Sequence, residues 1–230
     1  MKHKAARVKI FFAVAGLFFS LFIGNAGAQT IVDKTVATIG DGVGNPELIT
    51  YSDLLWSLAL QPNVPLNPPT SEDLNRALQL LINQRLFALE AERIPRTTPT
   101  AAETDAEIKD VLAQFSSTAE FENRLRLVGF SSVKDENFQR IMEQRVAIKK
   151  YLDFRFRSFV VITPEDETKY YRETYTPEFR KRNPGLLMPT LAEKRTEINR
   201  FLTEEKVEAE IERFLDFAKR RNEIIVLSAV

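Results

Sequence analysis

Two short stretches at opposite ends of the chain decide the fold: Lys34-Thr35-Val36-Ala37-Thr38-Ile39 and Glu223-Ile224-Ile225-Val226-Leu227. The first alternates polar and apolar side chains, and the second is β-branched and apolar; both patterns are typical of strands. An isolated strand would leave its backbone N–H and C=O groups unpaired. We therefore predict that the two stretches pair with each other, with Leu48-Ile49 as a third strand, and close a single domain.

The sequence between these stretches is typical of helices. The 202 residues after Ala28 include only five glycines and are rich in Leu, Ala, Glu, Lys and Arg, which favours helix. Capping boxes, in which a Ser or Thr is followed three residues later by an acid, mark where helices begin. The pairs are Thr50/Asp53, Thr70/Asp73, Thr100/Glu103, Ser117/Glu120, Ser132/Asp135, Thr163/Asp166 and Thr190/Glu193. The predicted fold class is mainly α, with about seven helices and a small β element that pairs the N-terminal and C-terminal strands.

Residues 1–28 are typical of a secretory signal peptide. A basic start is followed by an apolar run over Ile10–Ile23, and Ala26-Gly27-Ala28 has the small residues that signal peptidase accepts. The alternative is a retained membrane anchor, but a helix of this length spans only about 21 Å of a ~30 Å hydrocarbon core. We expect export, with cleavage between Ala28 and Gln29 and the periplasm as the compartment.

Composition excludes many classes of function. The chain has no cysteine, and its one histidine, His3, lies in the predicted signal. The remainder therefore has no residues for a Ser-His-Asp triad, a cysteine nucleophile or a His/Cys metal site. Its 28 basic and 32 acidic residues give a net charge of −4, which disfavours nucleic-acid binding. No cofactor is predicted: Gly40-Asp41-Gly42-Val43-Gly44 lacks the Lys-Ser/Thr of a phosphate-binding loop and is better explained as a hairpin turn.

Four passages resemble the SurA-type periplasmic chaperones and their parvulin-linked relatives. They are Val36–Asp41 leading to Ile49–Leu54; Leu80–Phe87 through Glu90–Arg93; Ile162–Glu167 with Tyr170-Tyr171; and Ile198–Leu202, Glu205-Lys206, Phe214-Leu215 and Ile224–Leu227. The resemblance implies a helical chaperone core whose last helix and strand return to pack on the N-terminal portion. It also implies the domain organisation: 29–173 as the N-terminal chaperone helices with the first strand, 174–190 as a short linker, and 191–230 as the returning helix and strand.

The same resemblance bears on catalysis. In that family, parvulin prolyl-isomerase domains commonly lie between the third and fourth passages, where this chain has only residues 174–190. A segment of that length is too short for a globular domain. We therefore expect a non-catalytic, ATP-independent envelope chaperone that binds unfolded or newly exported polypeptides and assists outer-membrane protein assembly. The alternatives are a scaffold dedicated to one envelope partner and, least favoured, a prolyl isomerase.

The predicted binding surface is an apolar cradle of helices. Its candidate client-binding residues are Tyr51, Trp56, Phe87, Phe115, Phe121, Phe130, Phe138 and Tyr171. The alternative for each is an ordinary core position, although Trp56 and Phe130 are expected to be more exposed, because one precedes a proline-rich stretch and the other follows a helix-ending glycine. The basic clusters, including Arg180-Lys181-Arg182, are interpreted as solvated helix faces, with acidic clients or lipid headgroups as alternatives. A transient contact with the envelope is possible, and the sequence gives no oligomeric state.

Overall fold

The computed structural model describes residues 33–228, except 41 and 43. The predicted signal peptide and its cleavage point lie outside these residues. Within them, no helix combines the length and the apolar character needed to cross a membrane.

The described chain is mainly helical and carries one small sheet. Short 3₁₀ turns occur at Pro95–Thr97 and Arg157–Phe159. The elements are β1 (Thr35–Gly40), β2 (Glu47–Thr50), α1 (Tyr51–Ala59), α2 (Ser71–Ala91), α3 (Ala101–Leu112), α4 (Thr118–Leu127), α5 (Glu136–Arg155), α6 (Pro164–Tyr170), a π-helical segment (Tyr171–Tyr175), α7 (Thr176–Arg182), α8 (Leu191–Arg221) and β3 (Glu223–Val226). The predicted fold class is confirmed.

The sheet joins the two ends of the described chain, as the sequence predicts. Its order is β2-β1-β3, and both pairings are antiparallel. Ala37 lies opposite Ile49 on one side and Val226 on the other. The central strand is fully buried at Val36, Ala37 and Ile39, so β1 has both its backbone edges and one face covered.

Helices begin where the capping residues predict, with one exception. Thr50, Thr100, Thr163 and Thr190 form complete capping boxes, and Thr70 and Ser117 accept a bond from the third backbone N–H of their helices. The predicted start at Ser132 is wrong. Asp135 caps α5 instead, because its carboxylate accepts the Asn137 N–H and also the N–H of Ser131, so the helix starts one turn later.

Three apolar clusters form the interior. The sheet cluster packs β1 and β2 against α1 and α2 around Leu54, Leu58 and Leu78. The aromatic cluster is built from α3, α4 and α5 around Phe115, Phe121, Phe130 and Phe138. The junction cluster joins the ends of α2 and α5 to α8 and comprises Phe87, Ala88, Ala91, Ile148, Tyr151, Phe156 and Val207.

The segment predicted as a linker, residues 174–190, is helical over more than half its length. The helix that begins at Pro164 continues through the π-helical segment and α7 to Arg182, and only residues 183–190 are irregular. Pro177 has no N–H to bond to the carbonyl four residues earlier, and the wider π-helical turn before it accommodates the proline ring. Residues 164–207, which comprise two antiparallel helical stretches and the loop at 183–190, are called the arm below.

Candidate functional site

Most of the predicted client-binding aromatics are buried in the interior. Phe121 and Phe138 are fully buried, and Phe115 and Phe130 pack on them with ring centroids 4.8 to 6.0 Å apart. The expected exposure of Phe130 is wrong. Gly129, with a φ of +96°, reverses the chain so that the Phe130 N–H bonds to the Leu125 carbonyl, and the ring turns back into the aromatic cluster.

Trp56 is partly buried, which agrees only in part with its expected exposure. Its ring lies 5.0 Å from that of Phe130, and its indole Nε1 donates to the Val128 carbonyl at 3.1 Å. These two contacts fix the orientation of the indole. The remainder of the side chain lines a cavity, so Trp56 is a candidate that reaches the surface.

The remaining candidates lie in separate places. Tyr51 is partly buried beside the sheet cluster, and Phe87 is buried in the junction cluster, stacked 5.5 Å from Phe214. Tyr171 lies on the arm, where its hydroxyl donates to the Pro189 carbonyl at 2.6 Å. The eight predicted residues therefore do not converge on one binding surface.

A groove on the described surface has the apolar character that the sequence predicts for a binding cradle. Two cavities of about 760 and 260 Å³ share the lining residues Leu80, Gln84, Arg145 and Ile148, so they adjoin each other, and the two together are called the groove below. Its apolar lining comes from α1, α2, α5 and α8: Trp56, Leu60, Leu80, Leu81, Ile141, Ile148, Leu152, Val207 and Ile211.

The spacing of residues on α5 explains the floor of the groove. Ile141, Ile148 and Leu152 are separated by seven and four residues, so they lie on one face of that helix. The lining residues of α5 extend from Asn137 to Asp153. At 1.5 Å per residue this distance is about 24 Å, the length of roughly seven residues of extended polypeptide.

Five of the seven charged residues that line the wider end of the groove form ion pairs with each other. Arg145 bonds to Glu107 at 3.0 Å, and Arg157 makes a bidentate pair with Glu204 at 2.6 and 2.8 Å. The Glu204 and Asp153 carboxylates raise the pKa of Arg157, and the Arg157 guanidinium lowers the pKa of Glu204. The charges of these paired side chains compensate each other, and most of the surface that the groove exposes is apolar.

The helix that carries Trp56 is fixed in place by an arginine that sequence reasoning missed. Arg124 of α4 donates to the carbonyls of Leu58, Ala59 and Gln61 at 2.9 to 3.1 Å. These carbonyls lie at and just beyond the C-terminal end of α1, where regular intrahelical bonding ends; of the three, the Leu58 carbonyl also accepts the N–H groups of Leu60 and Gln61. Burial lowers the pKa of Arg124, but a guanidinium stays protonated at neutral pH.

Leu80 is the groove residue that sequence reasoning should have found. It lies where the two cavities meet, and 41% of its surface is exposed. The signal is the run Leu80-Leu81-Ile82: three consecutive positions on a helix point in different directions, so one buried face cannot cover all three. Ile82 is buried, Leu81 is partly buried, and Leu80 is left on the groove.

Comparison of the chain with protein-family models and with curated proteins gives no match. The resemblance to SurA-type chaperones therefore stays a prediction from the four sequence passages. Within residues 33–228, no three Asp or Glu side chains come close enough together to hold a metal ion.

Proposed function

We propose that this chain is a non-catalytic, ATP-independent chaperone that binds unfolded or newly exported polypeptides in the groove between α1, α2, α5 and α8. Export to the periplasm is part of the same proposal and rests on the sequence of residues 1–28. The observation that carries the proposal is this groove, whose exposed surface is mainly apolar and at whose wider end five of the seven charged residues form ion pairs.

The groove suits a polypeptide segment better than a small molecule. It is open and about 24 Å long, so an extended segment of roughly seven residues fits along it. Charged and polar side chains outnumber the apolar ones in its lining, but most of the surface that the groove exposes is apolar, and such surface gives contact without directional requirements. Such a surface selects for apolar character and does not read one particular sequence.

The expected affinity is modest. Burial of an aliphatic client side chain contributes about 1.5–3 kcal/mol, so four or five side chains give on the order of 10 kcal/mol. Loss of translational and rotational freedom on association, together with chain ordering, costs about 4–15 kcal/mol. At most about 6 kcal/mol remains, which corresponds to a dissociation constant of tens of micromolar or weaker and allows a client to be released without ATP.

The test is suppression of aggregation by a matched pair of variants. Leu80→Glu places a charge on the groove, whereas Leu127→Glu makes the same change at an exposed leucine of α4 that is not among the groove-lining residues. We expect the wild-type protein and Leu127→Glu to slow the aggregation of several unrelated denatured proteins at near-stoichiometric ratio. Leu80→Glu should require at least about tenfold more protein, because it sets a charge against apolar client side chains.

Three results would contradict the proposal. The first is equal activity of the two variants, which would remove the groove from client binding. The second is no suppression with any client but stable copurification with one envelope protein, which would favour the dedicated scaffold. The third is catalytic acceleration of proline-limited refolding by the purified protein, which would establish an isomerase and refute a non-catalytic role.

A further inference from the structure

The loop at the end of the arm exposes two apolar side chains to an unusual degree. Leu187 is 94% exposed and Leu186 is 67% exposed. Both lie between the end of α7 and the start of α8, where the chain turns back at Pro184-Gly185. The loop protrudes from the arm, so a partner that contacts both leucines fully has to be concave or deformable.

The protruding loop is ordered by contacts of its own. Asn183 ends α7 with its N–H bonded to the Phe179 carbonyl at 2.8 Å, and Gly185 has a φ of +87°, which a glycine adopts without strain. The Tyr171 hydroxyl holds the far end of the loop through the Pro189 carbonyl. Hydrogen bonds therefore hold the backbone at both ends of the loop, while the two leucines between them are exposed.

Positive charge accompanies the exposed leucines. Residues 179–192 contain Arg180, Lys181 and Arg182 and no acidic residue. Arg182 pairs with Glu178 at 2.9 Å. Among residues 33–228, no carboxylate lies within 4 Å of Arg180 or Lys181 in the structure, so these two cations are free to meet an external anion.

The middle of α8 carries the opposite charge, although the last turn of that helix, Lys219-Arg220-Arg221, is basic. On α8, residues 204–216 contain six acids and two basic residues. An anionic surface would attract Arg180 and Lys181, which precede the loop at 183–190, and repel residues 204–216. At this end of the arm, the free positive charge and the exposed leucines therefore favour the same contact.

We propose that the loop and the adjacent Arg180 and Lys181 form a membrane-contact site for anionic phospholipids. Leu186 and Leu187 enter the boundary between headgroups and acyl chains, where the fluid lipids can rearrange around a protruding loop. Arg180 and Lys181 bind the phosphates of the surrounding headgroups. Each Lys or Arg near an anionic bilayer strengthens binding roughly fivefold, so the contact is reversible and depends on salt. The site is independent of the groove.

The absence of cysteine makes a site-specific test possible. Leu186→Cys, labelled with an environment-sensitive fluorophore such as NBD, places a reporter beside Leu187. We expect its emission to shift to the blue on vesicles of phosphatidylcholine with phosphatidylglycerol, and to respond little to phosphatidylcholine alone or in high salt. Every variant carries the same residues 1–32, so any binding through them is common to all.

Three further variants in the labelled background locate the contact. Leu187→Asp should weaken vesicle binding at least about tenfold, from the transfer free energy of one leucine. Arg180→Gln with Lys181→Gln should weaken binding on the order of tenfold, from two lost charges. Leu80→Glu, which alters the groove, should leave the vesicle response unchanged.

Any of the following results would refute the proposed membrane-contact site. No emission shift on anionic vesicles, or an equal shift on neutral vesicles, would refute it. The same holds if Leu187→Asp and the double charge variant bind as the parent does. A reporter at residue 186 that responds to denatured polypeptide and not to vesicles would assign the loop to client binding instead.

Discussion

The aromatic cluster and the arm both contain packed aromatic rings, but the rings are buried in the cluster and partly exposed in the arm. In the cluster, Phe121 and Phe138 are fully buried because α3, α4 and α5 surround them. In the arm, Tyr170 and Phe201 pack 4.9 Å apart, yet Phe201 stays 49% exposed. Two antiparallel helical stretches can bury only the faces they turn toward each other. The number of neighbouring elements, more than residue type, decides whether a ring becomes core or surface.

The largest expected difference between the two regions is in stability. Phe121→Ala removes a fully buried ring and should lower the free energy of unfolding by about 4 kcal/mol, through lost apolar burial and the cavity left behind. Phe201→Ala removes a half-exposed ring and should cost about 1 kcal/mol. Urea unfolding followed by circular dichroism measures both. Equal costs would show that the arm is packed as tightly as the cluster.

A smaller effect is expected at the connection between α4 and α1. Arg124→Met keeps much of the side-chain volume but removes three hydrogen bonds to the carbonyls at the end of α1. The free energy of unfolding should fall by about 2 kcal/mol, since hydrogen bonds from a charged donor are stronger than neutral ones. Arg126→Met, on the same helix, is the control, because Arg126 meets only Glu122 at 3.9 Å on the surface. A loss no larger than that of the control would contradict the capping role.

The smallest effect concerns a charged pair that ties the two stretches of the arm together. Lys206 bonds to Asp166 at 2.9 Å and, with the Thr163 capping bonds, lowers the pKa of Asp166 to about 2. Because this pKa is depressed on folding, the stabilisation is present above about pH 4 and is lost as the pH falls toward 2.

Lys206→Met removes the largest cause of that shift. The pKa of Asp166 should rise toward 3.8 but stay below it, because the Thr163 bonds remain. An NMR titration of the carboxyl carbons measures the change. Glu103 is the internal control outside the arm: Lys150 and Thr100 lower its pKa to about 2, and this value should not change. An unaltered Asp166 would mean that Lys206 is not its partner in solution.

The fold could be predicted from the sequence where a local pattern carries the information. The strands at 34–39 and 223–227 and the caps at Thr50 and Thr190 are predicted from neighbouring residues, and the pairing of the two strands follows because an isolated strand leaves its backbone groups unpaired. The start of α5 was misplaced because Ser132 and Asp135 are both good caps, and only the contact with the Ser131 backbone selects Asp135.

The candidate surfaces could be predicted only in part. The sequence predicts an apolar surface made by helices, but whether a helix face is covered depends on which helices pack across it. Four of the eight candidate aromatic residues are buried together because α3, α4 and α5 pack around them: Phe115, Phe121, Phe130 and Phe138. Residues 183–190 were predicted as part of a linker, and it is the fold of the arm that makes Leu186 and Leu187 a protrusion.

The most direct test of the central claim uses Trp56, the only tryptophan in the chain. Trp56 lines the narrower end of the groove, so its emission reports on occupancy there without a label. During titration with a denatured, tryptophan-free client, the account predicts a saturable change in Trp56 emission that Leu80→Glu weakens at least about tenfold. Client binding that leaves Trp56 emission unchanged, or that is the same in Leu80→Glu, would contradict the groove as the binding surface.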